Sequence, residues 1–347
     1  MKIFQYVPVV VMIYASSMLL SSLGFFEFND EVNALYKTLK SNLLPAMLFL
    51  MLLQIDFTHF VKLGKKLLIS YVLAVVSIAI SFIIVVFLFH FPSDIRAAFG
   101  ALAGSWMGGT ANMIAVGSAL GVSESSFSYA LVVDSINYTL WVMFLLFLVP
   151  YAHFFNRFTK SEEQFMQIGE IGCACNMGVK RYWFFVLLSI IVALFVNTVA
   201  SYFTVVSHTT TIVLFATLLG ILGSLSRVKN INGSSEVANS MLYLIIALIG
   251  SKAAIENFST LGTYIAAGFF ILLVHALLMV LGAKIFKLDL FSIGVASLAN
   301  IGGIASAPIL AAAYDKSLVS IGILMAVMGY LLGTVGGLFV ANILLHF

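Results

Sequence analysis

The sequence predicts an all-α polytopic membrane protein made of two inverted repeats, each with a re-entrant or broken-helix hairpin. Hydrophobic residues make up 62% of the 347 positions and charged residues only 9%. The chain also falls into eleven apolar segments, and two of these are rich in Gly, Ala and Ser and carry a Gly-Gly pair at mid-segment. Soluble domains contain about 25% charged residues. The composition therefore excludes a cytosolic enzyme and a disordered chain, and it predicts a lipid bilayer rather than nucleic acid as a partner.

The eleven apolar segments are joined by short connections, except for one long polar stretch. A spanning helix needs about 20 apolar residues. The first segment is longer than the roughly 7–15-residue core of a signal peptide, so we interpret it as a retained helix rather than a cleaved leader. The segments are 4–26, 42–55, 66–91, 96–121, 126–151, 181–205, 208–226, 237–251, 261–285, 289–314 and 318–345.

The polar stretch 153–180 is predicted to be a cytoplasmic linker between two halves. It contains both cysteines, Cys173 and Cys175. A pair this closely spaced gives no disulfide framework, and it lacks the wider spacing and additional ligands of a typical zinc site. We therefore predict no bound metal at these cysteines and no cofactor.

The two Gly-Gly segments indicate an internal repeat. Gly108-Gly109 and Gly302-Gly303 lie 194 residues apart, and the same shift places 46–50 on 240–244. Because Gly costs about 1 kcal/mol relative to Ala inside a helix, each pair predicts a break. Two matches at one offset favour duplicated halves over chance similarity between apolar stretches. The predicted halves are 1–152 and 181–347.

The basic residues indicate how the Gly-Gly segments run, because cytoplasmic loops are enriched in Lys and Arg. If all eleven segments cross the membrane, the 17 basic residues divide 11 to 6; if 96–121 and 289–314 enter and return, they divide 13 to 4. The second arrangement also inverts the halves, as in many secondary transporters. It predicts four spans plus a hairpin, then five spans plus a hairpin. The N-terminus is then cytoplasmic and the C-terminus outside the inner membrane.

Two ionisable residues lie deep in predicted spans. Asp134 is eight residues into its segment, about 12 Å along a helix axis, and Asn137 shares its face at i+3. Such an acid is either a coupling group, as a Na⁺ ligand or proton carrier, or a structural acid held by hydrogen bonds. His275, in the middle of another span, is either part of a proton relay or a helix-packing residue. We predict Asp134, Asn137 and His275 as ion-coupling residues.

The predicted hairpin tips are rich in glycine and neutral polar residues. A broken helix exposes N–H groups at one end, which suit an anion, and carbonyl groups at the other, which suit Na⁺. Tight helix packing by small residues is the alternative explanation. The predicted substrate-binding residues are Ser105, Trp106, Gly108, Gly109, Thr110, Asn112, Asn300, Gly302, Gly303 and Ser306. Tyr330 and Thr334, near the repeat equivalent of Asp134, are weaker candidates.

The tip sequences at 104–112 and 299–308, together with Val133-Asp134, resemble the DUF819 family of bacterial membrane proteins. The resemblance implies a place in the superfamily of cation:proton antiporters and anion transporters. It also implies inverted five-helix repeats, sodium or proton coupling and assembly as a homodimer. Members generally have a further hydrophobic helix before the stretch that matches 4–8. The first repeat is therefore expected to lack one helix, unless the protein starts upstream of Met1.

These features together predict a secondary active transporter with an elevator-like movement of the hairpins. The expected substrate is a small organic anion or an amino-acid-like metabolite, because helix N-termini favour negatively charged groups. The sequence has no Walker A motif, G-x-S-x-G elbow or H-E-x-x-H pair, so we predict no enzymatic activity. A passive channel and a scaffold or sensor without transport are the alternatives.

Overall fold

The computed structural model describes residues 9–53, 63–161, 178–203, 207–231, 233–252 and 258–346. Within these ranges every regular element is helical, which confirms the all-α prediction. Short 3₁₀ turns accompany the α-helices, which are α1 Val9–Ser22, α2 Asp30–Leu53, α3 Gly64–Phe89, α4 Ser93–Gly108, α5 Thr110–Ala119, α6 Glu124–Leu148, α7 Ala152–Thr159, α8 Val179–Tyr202, α9 His208–Ser224, α10 Ser234–Lys252, α11 Phe258–Phe286, α12 Leu290–Ile301, α13 Gly303–Tyr314 and α14 Val319–Leu345.

Six stretches in the described part of the chain are long and apolar enough to cross a membrane. They are α3, α6 together with α7, α8, α10, α11 and α14. Nine spans are expected from the sequence; the other three correspond to α1, α2 and α9. Of these, α1 and α9 contain 14 and 17 residues, and α2 begins with Asp30 and Glu31. The chain is thus a membrane protein, and the count of nine spans stays a prediction.

Both Gly-Gly segments are interrupted at the glycine pair. Helix α4 ends at Gly108 and α5 begins at Thr110; between them, Gly109 has φ 90° and ψ 170°. Helix α12 ends at Ile301 and α13 begins at Gly303, which has φ 60°. Positive φ values are easily adopted only by glycine, so the sequence itself sets the position of each break. That these segments return to the membrane face from which they enter stays a prediction.

The helices also recur at the spacing of the glycine pairs. Shifting α3 by 194 residues gives 258–283, and α11 is Phe258–Phe286. The same shift moves α4 to 287–302, where α12 lies, and α6 to 318–342, where α14 lies. The order and lengths of the helices therefore agree with a duplication.

The described helices form two compact units. The first unit contains the described residues within 1–56, 114–135 and 174–258; the second contains those within 57–113, 136–173 and 259–347. In the first unit, α2 packs against α8, α9 and α10, and α1 packs against α10. In the second, α14 packs against α4, α12 and α13, and α3 packs against α12. Each unit takes helices from both predicted halves.

The stretch 153–180 is not entirely a linker. Helix α7 occupies its first residues and follows the 3₁₀ turn Val149–Tyr151. Helix α7 has only eight residues, too few to give a clear periodic signal in the sequence, and this explains the difference. Residues 162–177, with Cys173 and Cys175, lie outside the described residues.

Candidate functional site

The first break is packed against α14 through backbone contacts. A Cβ added to Gly108 would collide with the carbonyl oxygen of Gly329, and one added to Gly333 would lie 2.8 Å from the Gly108 Cα. Only glycines let two helices approach this closely. A stripe of glycines on α14 therefore fixes the position of the first break in the second unit.

Asn112 fastens this break to α14. Its side chain is 2% exposed. The amide nitrogen donates to the Gly108 carbonyl at 2.6 Å and to the Gly329 carbonyl at 3.5 Å, while the amide oxygen accepts from the Thr334 hydroxyl at 2.6 Å. Both ends of the amide are engaged within the protein. This arrangement fits the packing explanation, and a substrate-binding role for Asn112 stays a prediction.

The second break is crowded at Gly302. A Cβ on Gly302 would collide with the Ser306 hydroxyl and lie 2.5 Å from Cε2 of Tyr138. The packing of the two breaks is reciprocal. Helix α6, which follows the first break, supplies Tyr138 to the second; α14, which follows the second break, supplies Tyr330 to the first, 3.9 Å from a Cβ on Gly109.

Two buried polar atoms at the second break lack a partner among the described residues. The Asn300 amide nitrogen donates to the Ala296 carbonyl at 2.8 Å, and its amide oxygen has no hydrogen bond. Turning the amide over would bring its oxygen against that carbonyl, so this orientation is fixed by the contact. The Ser306 hydroxyl is also unpaired, and the two side chains are 0% and 1% exposed. Leaving such groups unpaired costs about 1–3 kcal/mol each.

The second glycine of each pair borders open space. A Cβ on Gly303 would meet nothing within 4 Å, and one on Gly109 would meet only the Tyr330 ring. The first glycine of each pair, in contrast, is tightly packed. Each break thus has one anchored side and one open side, and the second break adds unpaired polar atoms. These are the features of a place where a ligand can bind.

Ser105 and Trp106 lie in the core of the second unit. Their exposed fractions are 1% and 0%. The Trp106 ring packs edge-on against Phe82 with centroids 5.3 Å apart, and the Ser105 carbonyl accepts a hydrogen bond from the Gly109 N–H at 2.6 Å. Thr110 is half-buried at the start of α5. Contact of these three residues with a substrate stays a prediction.

His275 forms the centre of a buried hydrogen-bond chain. Its Nδ1 lies 2.8 Å from the Ser77 hydroxyl and its Nε2 lies 2.8 Å from the Ser297 hydroxyl. Ser77 donates to the Ala74 carbonyl at 2.9 Å, and the Trp141 indole donates to Ser297 at 2.9 Å. A neutral imidazole with its proton on Nδ1 satisfies every one of these bonds. The arrangement fits the helix-packing explanation, and a proton relay stays a prediction.

Asp134 and Asn137 fall in different compact units, because the division between the units passes between them. Asp134 is half-buried on α6. Asn137 is fully buried and donates to the Ile265 carbonyl at 3.2 Å. Among the described residues, His, Cys, Asp and Glu form no group of three or more that could hold a metal ion. The ion-coupling role of Asp134 and Asn137 stays a prediction.

The sequence-based prediction missed the glycine stripe on α14 and the hydroxyl of Tyr71. The stripe includes Gly322, which lies against the Ala307 carbonyl, and its helical spacing was a readable signal of close packing. The Tyr71 hydroxyl is fully buried without a described partner and lies 3.5 Å from a Cβ on Gly329. Nothing in the sequence around Tyr71 separates it from other aromatic residues in spans.

Comparison with known proteins gives a family. The family described as "Protein of unknown function (DUF819)" matches residues 1–347. The uncharacterized membrane protein YjcL of Bacillus subtilis (strain 168) is 25% identical over 355 residues, which cover 94% of this chain and 87% of YjcL. The apolar helices, the paired glycine breaks and the match along the whole sequence therefore lead to one conclusion: the chain is a membrane protein that belongs to the DUF819 family.

Proposed function

We propose that the protein is a secondary active transporter of a small solute. The observation that carries this proposal is the second break, where the Asn300 amide oxygen and the Ser306 hydroxyl are buried without partners and Gly303 borders open space. Non-helical backbone inside a membrane is tolerated where it is buried in protein or lines a cavity. Secondary transporters use such discontinuous helices to bind their substrates.

The duplicated helices support an inverted-repeat transporter. The repeat is supported by the 194-residue spacing between α3, α4 and α6 and their counterparts α11, α12 and α14. The opposite orientation of the two halves is supported by the 13-to-4 division of basic residues between the two sides of the membrane. In this arrangement the two breaks enter from opposite faces of the inner membrane and move together in an elevator-like step. In the proposed arrangement the N-terminus lies in the cytoplasm and the C-terminus outside, and we place the family in the superfamily of cation:proton antiporters and anion transporters.

The substrate that fits best is an amino-acid-like metabolite. Helix α13 begins at the break with Gly303, and the N–H groups at a helix start favour a carboxylate. The Asn300 oxygen can only accept a hydrogen bond, so it suits an ammonium or other donor on the same molecule. A simple organic anion would use the first feature alone. We propose that Na⁺ or H⁺ drives uptake through Asp134, Asn137 and His275.

Uptake into proteoliposomes tests the proposal directly. The purified protein is reconstituted, and a panel of radiolabelled amino acids and carboxylates is offered with and without a sodium or pH gradient. We expect accumulation that requires one of the gradients and is lost in Asn300→Leu. Matched liposomes carry Gly262→Ala, at an open helical position away from the breaks, and should keep full uptake.

The same measurement separates the other functions. Flux that simply equilibrates and ignores both gradients indicates a passive channel, whereas no flux with any solute indicates a scaffold or sensor. Either result refutes the transporter proposal. Cross-linking in membranes tests the homodimer that the superfamily placement implies.

A further inference from the structure

One end of the second unit combines aromatic and basic side chains on its surface. Helix α7 turns its buried side, with Asn156, toward the start of α12, where the Asn156 amide oxygen accepts a hydrogen bond from the Leu290 N–H at 2.8 Å. Its opposite side is exposed and carries Phe154 and Arg157. Helix α7 is therefore amphipathic: one side packs against protein and the other faces the surroundings of the protein.

Lys284 joins this helix to the end of α11. Its ammonium donates to the Phe158 carbonyl and lies 4.2 Å from the centroid of the Phe158 ring. The carbonyl belongs to the last turn of α7, where a positive charge is favourable. The contact holds α7 beside α11 and leaves the outer sides of both exposed.

Four basic residues lie at this end, and we name them the basic patch: Arg157, Lys160, Lys284 and Lys287. All four are exposed. No carboxylate of the described residues pairs with them within 4 Å. Asp289, just before α12, is 3% exposed, and its carboxylate oxygens accept hydrogen bonds from the Ser292 N–H and hydroxyl at 2.8 Å. Glu162 and Glu163 follow α7 in sequence, outside the described residues.

Apolar side chains continue from the basic patch along the two neighbouring spans. On α11, Ile285 is 72% exposed and Leu281 60%; at the end of α6, Phe147 is 63% exposed. Phe154 on α7 is 78% exposed. A ligand that covers this surface needs a negatively charged group at one end and long apolar chains at the other.

We propose that the basic patch binds the headgroup of an anionic phospholipid, whose acyl chains lie along the exposed apolar sides of α6 and α11. Clusters of Lys and Arg at the ends of spans attract such headgroups, and each basic residue near the surface adds to the attraction. Because Asn156 holds α7 on the start of α12, the bound lipid also steadies the helix that leads to the second break. This proposal does not depend on transport.

Native mass spectrometry of the purified full-length protein tests the site. Phosphatidylglycerol and phosphatidylcholine with identical acyl chains are added as an equimolar mixture. We expect phosphatidylglycerol adducts to dominate, and the triple variant Arg157→Gln, Lys160→Gln and Lys287→Gln to weaken phosphatidylglycerol binding by about tenfold or more. Lys284 is kept because it supports α7. The matched control changes three exposed basic residues elsewhere to Gln: Lys37, Lys180 and Arg227.

Three outcomes overturn the proposal. Equal binding of the two lipids removes the charge preference, and an equal loss in the control variant means that overall charge, rather than this patch, attracts the lipid. Displacement of phosphatidylglycerol by inorganic phosphate means that the patch binds a free anion and that the acyl chains contribute nothing. If the triple variant does not fold, Lys287→Gln alone is measured and should weaken phosphatidylglycerol binding about fivefold.

Discussion

The two helix breaks have the same glycine pair but use their polar residues differently. At the first break both ends of the Asn112 amide form hydrogen bonds, with Gly108, Gly329 and Thr334. The residue at the corresponding position of the second break is Ser306, 194 residues later, and its hydroxyl is unpaired. The two breaks thus share their backbone interruption and differ in their polar side chains. We interpret the first break as an anchored element and the second as the one available to a ligand.

The largest expected effect comes from the packed glycine of the first break. In Gly108→Ala the new methyl group meets the Gly329 carbonyl, which belongs to backbone and cannot move aside. Overpacking of this kind costs about 3 kcal/mol. We expect the variant to lose that much free energy of unfolding, measured by denaturant titration in detergent. Gly262→Ala, with nothing within 4 Å of the added Cβ, is the control and should be at least as stable as wild type. Equal stability of the two variants would contradict the tight crossing of α4 and α14.

The next prediction exchanges the two asparagines for leucine, which has a similar volume. Asn112→Leu leaves the buried Thr334 hydroxyl without its acceptor and should lower the free energy of unfolding by about 2 kcal/mol. Asn300→Leu removes an oxygen without a described partner together with one hydrogen bond to the Ala296 carbonyl, and because these two effects oppose each other it should change stability by less than about 1 kcal/mol. Thermal unfolding and solute uptake are measured for both. The comparison between the breaks fails if Asn300→Leu is the less stable of the two variants.

Two serines of the second break sharpen the comparison further. Ser306→Ala removes an unpaired hydroxyl, so the variant should melt at or above the melting temperature of wild type, while the KM for solute uptake should rise about tenfold through loss of one hydrogen bond. Ser297→Ala breaks contacts to Trp141 and His275 and should cost about 1–2 kcal/mol of stability. A stable Ser297→Ala beside a destabilised Ser306→Ala would reverse our assignment of which hydroxyl is engaged.

The smallest expected effect lies in the connection after the second break. Hydrogen bonds from Ser317 lower the pKa of the Asp315 carboxyl below its ordinary value. A carboxyl with a lowered folded-state pKa contributes stability above its unfolded pKa and loses it as the pH falls through the folded pKa. Asp315→Asn should therefore melt slightly below wild type at pH 7, and the two curves should converge in acid below about pH 4. A difference that persists at low pH would assign the effect to something other than the charge.

The sequence was sufficient to predict the breaks, because each of these glycine pairs lies in a segment rich in Gly, Ala and Ser and a positive φ favours glycine. A glycine pair alone is not enough, since Gly336-Gly337 lies within the continuous helix α14. It was also sufficient for most helix limits; segment 181–205, for example, corresponds to α8. The engagement of Asn112 could not be predicted, because its partner Thr334 lies 222 residues away. The hydrogen-bond chain around the neutral His275 could not be predicted either, because its partner Ser77 lies 198 residues away.

Residue type alone also could not give the burial of the tip residues. Trp106 lies beside the glycine pair, and its ring is wholly buried against Phe82, while its contact with a substrate stays a prediction. Helix α7 was read as part of a linker, because eight residues are too few to give a clear periodic signal. In both cases the deciding information was the neighbour supplied by the tertiary fold.

The glycines of α14 make the two breaks mechanically dependent on each other. Gly322 rests on the segment that follows the second break, and Gly329 and Gly333 rest on the end of the first. At the first break the close backbone packing is joined by hydrogen bonds of Asn112 with Gly329 and Thr334 of α14, so this helix is fastened to the break as well as packed against it. A shift of α14 along its own axis would therefore change the packing at both breaks at once. A single cross-link between α14 and either break would hold both breaks in place.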